Sequence, residues 1–284
     1  MGLCDSFETI FRTGDERLVS TLALFAASGK LPVVLAEEAR RSGYELVAFG
    51  VTPSVGADLK DLASHYYEIS PGQLQLAIDI CKELGVFAVM FAGKFEKREF
   101  CSGMELDPRI QSVLSMAARL GDDSIMRALA AEFESEGFVV LSQIELGRSL
   151  LAREGVLTSR IPSDEEMKDV ACGLDAIRVM GCLDVGQSVV VKRRVIVAVE
   201  GVEGTDQAIL RGGTLSGGGA VVVKAPKPGQ DLRFDVPTVG ERTVLSMHVS
   251  GCSVLAVKSG STFLLDPDRT VELADMYGIS IVGV

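Results

Sequence analysis

The sequence predicts an α/β protein: an N-terminal Rossmann-like parallel α/β domain followed by a C-terminal α+β domain. Three observations predict it. Short apolar runs alternate with helical patterns through the first half. That alternation breaks over 142–164, an irregular stretch holding Gly147, Gly155 and Pro162. The second half then mixes strands, helices and Gly-rich turns without a repeated strand–helix–strand rhythm. A chain of 284 residues is long for one core and sufficient for two. The expected division is an extension over 1–20, a Rossmann-like domain over 21–141, and an α+β domain over 142–284 that carries most of the catalytic candidates.

The elements follow in order. Thr21–Phe25 reads as a strand, Ala26–Lys30 as a small-residue loop, Pro32–Ser42 as a helix and Tyr44–Gly50 as a second strand, together one βαβ unit. Leu74, Ala77, Ile78 and Cys81 recur at helical spacing, Gly85 stops that helix, and Val86–Phe91 is a third apolar strand. Two more helices place Ile110, Val113, Leu114 and Ala117 on one face and Ile125, Leu129 and Phe133 on another, with Asp122 or Asp123 as the second helix's N-cap. Phe138–Leu141 is a short apolar segment. In the second half, Ser188–Val191 and Val195–Glu200 flank Lys192-Arg193-Arg194 as a hairpin with a basic turn. Gly204-Thr205-Asp206 opens a helix ending at Arg211. Gly212–Gly219, with five Gly in eight positions, reads as a loop. Ala220–Lys224, Val254–Val257 and Thr262–Leu265 read as strands, Val271–Tyr277 as a helix and Ile279–Val282 as the last strand.

Composition excludes several function classes. A net charge of -11 is the wrong sign for a nucleic-acid binder, so an anionic ligand must be met by a local cluster of Lys and Arg. The six Cys form no C-x-x-C pair and read as reduced thiols of a cytoplasmic protein. Two His leave no basis for a His-rich zinc site, so any metal would be a hard ion held by Asp or Glu. The N-terminus lacks a basic region followed by an apolar one, and no apolar run reaches about 18 residues. Membrane association, if present, is therefore expected to be peripheral.

Four constellations hold chemistry. Ser28, Gly29 and Lys30 lie between the first strand and first helix, where a small-residue loop lets a phosphate approach a helix N-terminus; a plain βα turn fits equally. Gly93 and Lys94 follow the third strand, and ligands of open α/β sheets bind beyond the carboxyl ends of strands; a solvated basic loop is the alternative. Asp123 could serve a metal or simply cap its helix, while Arg127, one turn on, could reach a phosphate. The richest set joins Gln187, Thr205, Asp206 and Lys224 to the run Gln230–Gly240, where Asp231, Arg233 and Asp235 alternate with apolar residues as on one face of a strand. Cations that neutralise oxygens beside acids that orient water or hold a metal are what phosphoryl transfer requires; an exposed strand with cross-strand ion pairs is the plainer reading.

At these residues the sequence resembles a known family. Lys224-Ala-Pro-Lys-Pro-Gly-Gln-Asp-Leu-Arg-Phe-Asp-Val-Pro-Thr-Val-Gly240 is similar to a long signature of the UDP-2,3-diacylglucosamine pyrophosphatases unrelated to calcineurin-like phosphoesterases. The resemblance extends to Glu203–Asp206, Leu183–Gln187, Gly121–Asp123 through Phe138, and Phe91–Gly93, and runs from about Leu22 to the C-terminus. One departure is Ala27, where family members usually carry Gly. The resemblance implies a two-domain cytoplasmic enzyme of lipid A biosynthesis that uses Mg²⁺ to cleave its substrate between the domains. It implies that Asp235 is catalytic. On that basis Asp235 and Asp206 are expected to bind Mg²⁺ or orient water, Lys224 and Arg233 to take phosphate charge, and Gln187 and Thr205 to hydrogen-bond the diphosphate or sugar. A lipid-linked UDP-sugar, a peripheral contact with the inner membrane and a homodimer are the expected partners. A non-catalytic nucleotide-sugar or lipid binder of the same fold is the alternative. A nicotinamide enzyme would need a G-x-G-x-x-G motif that the first turn lacks.

Overall fold

The computed structural model describes residues 20–51, 56–94, 105–117, 122–183 and 185–284. The expected N-terminal extension, the basic residues after Lys94, Gly121 and Asp184 lie outside that set. In the first half, β1 (Thr21–Ala26), β2 (Glu45–Gly50), β3 (His65–Glu68), β4 (Ala88–Ala92) and β5 (Val139–Val140) form one sheet in the order β3-β2-β1-β4-β5, parallel throughout. Helices α1 (Leu31–Arg41), α2 (Gly56–Lys60), α3 (Leu74–Glu83), α4 (Pro108–Met116) and α5 (Asp122–Ser135) cover it. The strands are apolar on both faces because helices lie on both. Leu22, Leu24 and Met90 point into one core, and Ala23, Phe25, Phe49 and Phe91 into the other. The order reverses between β1 and β4, which is where open sheets of this kind form their ligand crevice.

The second half is a six-stranded mixed sheet in the order β6-β13-β11-β9-β7-β8, with β6 (Gly155–Val156), β7 (Ser188–Lys192), β8 (Val195–Val199), β9 (Val221–Lys224), β11 (Val254–Val257) and β13 (Ser280–Gly283). Its centre is parallel (β9, β11, β13), and the β7–β8 hairpin runs antiparallel to β9. Helices α7 (Asp164–Gly181), α8 (Thr205–Ser216), α9 (Glu241–Ser250) and α10 (Pro267–Met276) pack on it, while β10 (Thr238–Val239) and β12 (Phe263–Leu264) pair separately. The short helix α6 (Gln143–Leu146) joins the halves. Val236 and Phe263 from the second half share the core of Leu22, Leu24 and Met90, and Phe234 packs edge-on against Phe91.

Three local readings change. The Gly-rich run is not a loop throughout: α8 continues to Ser216. Gly212 and Gly213 lie inside it because a Cβ there would stand 2.6 Å from Val190 and 2.3 Å from Ser250. Close helix packing, not turn formation, demands these glycines. The run Asp231–Asp235 makes no ladder; its N–H groups close turns instead, as in Phe234 N to Asp231 O at 3.2 Å. Helix α7 was not anticipated, although its start carries a capping box from Ser163 and Glu166. The basic hairpin turn is present. Arg193 (φ 50) and Arg194 (φ 64) are both left-handed, a costly state for non-glycine residues that the buried Asp169 carboxylate supports by accepting from both backbone N–H groups at 2.9 and 2.5 Å.

Glu166 ties the start of α7 to the sheet. Burial pushes its pKa up, but donors from Ser163, Ser253 and Arg160 outweigh that and hold it at about 2. A depressed folded-state pKa stabilises the fold fully above the ordinary value of 4.5, and that contribution is lost as pH falls toward 2. Glu166→Ala is therefore expected to cost ~2 kcal/mol at pH 7 through the lost cap and ion pair. Urea unfolding across a pH series should show the deficit shrinking between pH 4.5 and 2; a pH-independent deficit would refute the linkage.

Candidate active site

The crevice between β1 and β4 brings the first two constellations together. Ser28 N donates to Lys94 O at 3.2 Å, Lys94 N to Ser28 O at 2.8 Å, and Ser28 Oγ to Lys94 O at 2.6 Å. Both backbone donors thus close the crevice floor and do not face a ligand. Gly93 (φ 95) must be glycine here, since a Cβ would stand 2.6 Å from Ala27 O. Gly29 (φ 109) is open, and a Cβ there would meet nothing within 4 Å. Lys30 turns to Asp266, 3.9 Å away across the domain junction. Lys94 instead extends over the second half: its Nζ lies 3.5 Å from where a Cβ on Gly204 would stand, at the start of α8.

That helix start is the centre of the site. Gly204 (φ 81) is its N-cap and supplies no side chain, so the first N–H groups keep their donor character toward whatever lies beyond. Lys224, at the end of β9, is only 7% exposed. Its Nζ donates to Thr205 Oγ1 at 2.6 Å and, among the described residues, forms no ion pair. Thr205 Oγ1 in turn donates to Glu200 Oε1 at 2.8 Å. A hydroxyl has one proton, so Thr205 as seen here is an acceptor for Lys224 and has no second proton for a phosphate oxygen. Glu200, for which the sequence carried no signal, sets that direction; it also accepts from Gln187 N at 3.4 Å.

A second cluster adjoins the first through Gln187. Gln187 Nε2 donates to Asp235 Oδ2, and Gln230 Nε2 donates to the same oxygen at 2.7 Å. Asp235 is exposed to solvent at the mouth of the site. Asp206, in the first turn of α8, pairs with Arg242 at 3.2 Å. Arg233 is committed elsewhere: it pairs with Asp231 and with Glu134 of α5, each at 2.9 Å, and lies over the Phe234 ring at 4.9 Å. The Asp231 partnership, opposed by burial, raises its pKa; for Asp231 itself burial raises the pKa and Arg233 more than reverses it. Arg233 therefore anchors the signature loop to the first domain. Arg127 Nη2 donates to Gly229 O at 2.9 Å in the same loop. Asp123 opens α5, and its side chain lies outside the described residues.

Gln143 completes the anchoring. It is 1% exposed and donates to Phe91 O at 2.9 Å and Phe234 O at 2.7 Å, linking β4 to the residue before Asp235. Among the described residues, no three His, Cys, Asp or Glu side chains gather as a metal cluster. The two carboxylates expected to hold a metal, Asp235 and Asp206, would make a small set of protein oxygen donors. Such a set suits Mg²⁺, which usually takes few protein ligands and completes its shell with phosphate oxygens and water. No helix is long and apolar enough to cross a membrane among the described residues.

Sequence comparison covers both halves. The LpxI N-terminal domain pattern matches residues 21–150 and the LpxI C-terminal domain pattern matches 153–282. A relative from Caulobacter vibrioides, named UDP-2,3-diacylglucosamine pyrophosphatase LpxI, is 31% identical over 274 residues, covering 93% of this chain and 97% of its own length. Among solved structures, the biotin carboxylase domain of the Hydrogenobacter thermophilus 2-oxoglutarate carboxylase aligns with a TM-score of 0.27 at 15% identity, over 69% of this chain and 42% of that one. The N5-carboxyaminoimidazole synthetase of Staphylococcus aureus aligns with a TM-score of 0.24 at 13% identity, over 60% of this chain and 38% of that one. This chain spans less than half of either protein, and likeness so low says nothing about activity.

Proposed function

The chain belongs to the LpxI family, and from that membership we propose that it hydrolyses the diphosphate of UDP-2,3-diacylglucosamine to UMP and 2,3-diacylglucosamine 1-phosphate in lipid A biosynthesis. The observation that supports this best is the pairing of a buried, un-neutralised ammonium with a carboxylate held by two amides. Lys224 has no anionic partner of its own among the described residues, and a diphosphate would supply one. Lys94 and the uncapped start of α8 add positive potential on the same side. In this reading Asp235, an acceptor for Gln187 and Gln230, would take a hydrogen bond from the attacking water. Water adds at phosphorus and gives up a proton through Asp235 to solvent, the bridging P–O bond breaks, and the leaving phosphate departs as an anion that Lys224 and Lys94 stabilise.

Mg²⁺ is the metal of this reading: Asp235 would hold it, Asp206 could do so in exchange for its ion pair with Arg242, and the ion would neutralise charge on the diphosphate. Arg242 is 87% exposed in its side chain, so that exchange costs little. We place the enzyme in the cytoplasm, in peripheral contact with the inner membrane. Exposed Leu183, Val185 and Val202 beside the site offer apolar surface to a diacylated substrate. A homodimer is the assembly of this reading.

Purified protein incubated with the substrate and Mg²⁺ is expected to release UMP and the sugar 1-phosphate in equal amounts. EDTA should stop the release and added Mg²⁺ restore it. Tight binding of the substrate without UMP would replace the hydrolase with a binding protein of the same fold.

A further inference from the structure

We propose that Gln230 is a positioning residue for the hydrolysis, the side chain that holds Asp235 in its working orientation; this rests on the hydrolase reading above. The turn Lys227-Pro228-Gly229-Gln230 places it. Pro228 occupies the first central position and Gly229 (φ 74) the second, and Gln230 N donates to Lys227 O at 3.1 Å, as in a type II turn. The side chain then closes the turn a second time, because Gln230 Oε1 accepts from Lys227 N at 2.7 Å.

That second bond decides which end of the amide faces Asp235. With its oxygen on a backbone N–H, the NH₂ must point the other way. It donates to Asp235 O and to Asp235 Oδ2, both at 2.7 Å. The reversed amide would set its oxygen against a carbonyl and a carboxylate, and its NH₂ against an N–H, so only one orientation is satisfied. Gln187, from the start of β7, donates to the same Oδ2. Two amides from separate elements therefore converge on one oxygen of one carboxylate.

Such a grip has a purpose at Asp235. The residue is exposed and lies in a segment without ladder hydrogen bonds, so the backbone there does not by itself fix the direction of the carboxylate. Gln230 is fixed to the Asp235 main chain and from there holds its Oδ2, so the carboxylate cannot turn without giving up the bonds from Gln230 and Gln187 to that oxygen. Misplacement of a reacting group by about 1 Å can cost on the order of 100-fold in rate.

The test uses the full chain. In Gln230→Leu, kcat is expected to fall more than tenfold while KM changes by less than that factor. Gln230→Glu keeps the acceptor for Lys227 N and the side-chain shape but turns a negative oxygen toward Asp235; it should lose at least as much and serves if the leucine variant folds poorly. A purely structural role is separated by calorimetry in an Asp235→Ala background, where the substrate binds without turnover. There, adding Gln230→Leu should leave the Kd within tenfold. A kcat loss under tenfold in both variants overturns the proposal. So does a Kd weakened tenfold or more in the Asp235→Ala background, which would make Gln230 a pocket residue. Wild-type protein that releases no UMP defeats the hydrolase reading instead, and is seen before any variant is made.

Discussion

Replacing Asp235 with alanine is expected to lower kcat by about 1000-fold while the substrate Kd stays within a few-fold. The carboxylate is exposed, whereas Lys224, which would take phosphate charge, is buried against Thr205. Its loss should therefore remove an interaction made with the reacting atoms and leave most ground-state binding intact. Asp235→Asn sharpens the point. An amide oxygen can still accept from Gln187 and Gln230, so the geometry is kept and only the charge is removed. If the charge orients water or holds Mg²⁺, the asparagine variant should be nearly as impaired as the alanine one. Single-turnover kinetics with calorimetric Kd values would check both; an asparagine variant within tenfold of wild type would refute a charged role.

The second large effect belongs to Lys224. An ammonium that is 7% exposed and, among the described residues, hydrogen-bonded only to a neutral hydroxyl is an expensive group to keep in a core. Lys224→Met removes that cost, and Thr205 still donates to Glu200. Thermal stability is expected to hold or rise, while kcat/KM falls by about 100- to 1000-fold. Arginine should not rescue it, because a planar guanidinium does not reproduce the compact point charge of an ammonium. Opposite signs for stability and activity mark a residue retained for its ligand. A methionine variant that melts earlier yet turns over normally would make Lys224 structural.

Much of this protein was legible from residues alone. Apolar runs separated by helical patterns specified the parallel first domain, because strands covered on both faces need continuous apolar segments. The basic hairpin turn was legible from two β-rich runs around three cations. The signature from Lys224 to Gly240 pointed to the site because its residue types and their order are particular to one family.

What spacing could not supply were partners distant in sequence. Alternation from Asp231 to Asp235 looked like a strand face. It became a set of turns because no strand among the described residues pairs with it, and Phe234 is drawn into the first domain's aromatic core against Phe91. Arg233 read as a phosphate ligand until Glu134, 99 positions away, proved to be its partner. Thr205 read as a hydrogen-bonding partner of the diphosphate or sugar, and the fold shows that its one proton goes to Glu200. Gln230 lay in the signature run with no role marked for it, and Gln143 carried no signal at all. Local periodicity and residue identity were enough for the domain types, the family and the residues available for chemistry. Which of those residues face one another was settled only when the chain folded. A side chain has few donors and acceptors, and the neighbours that engage them come from separate elements that only folding brings together.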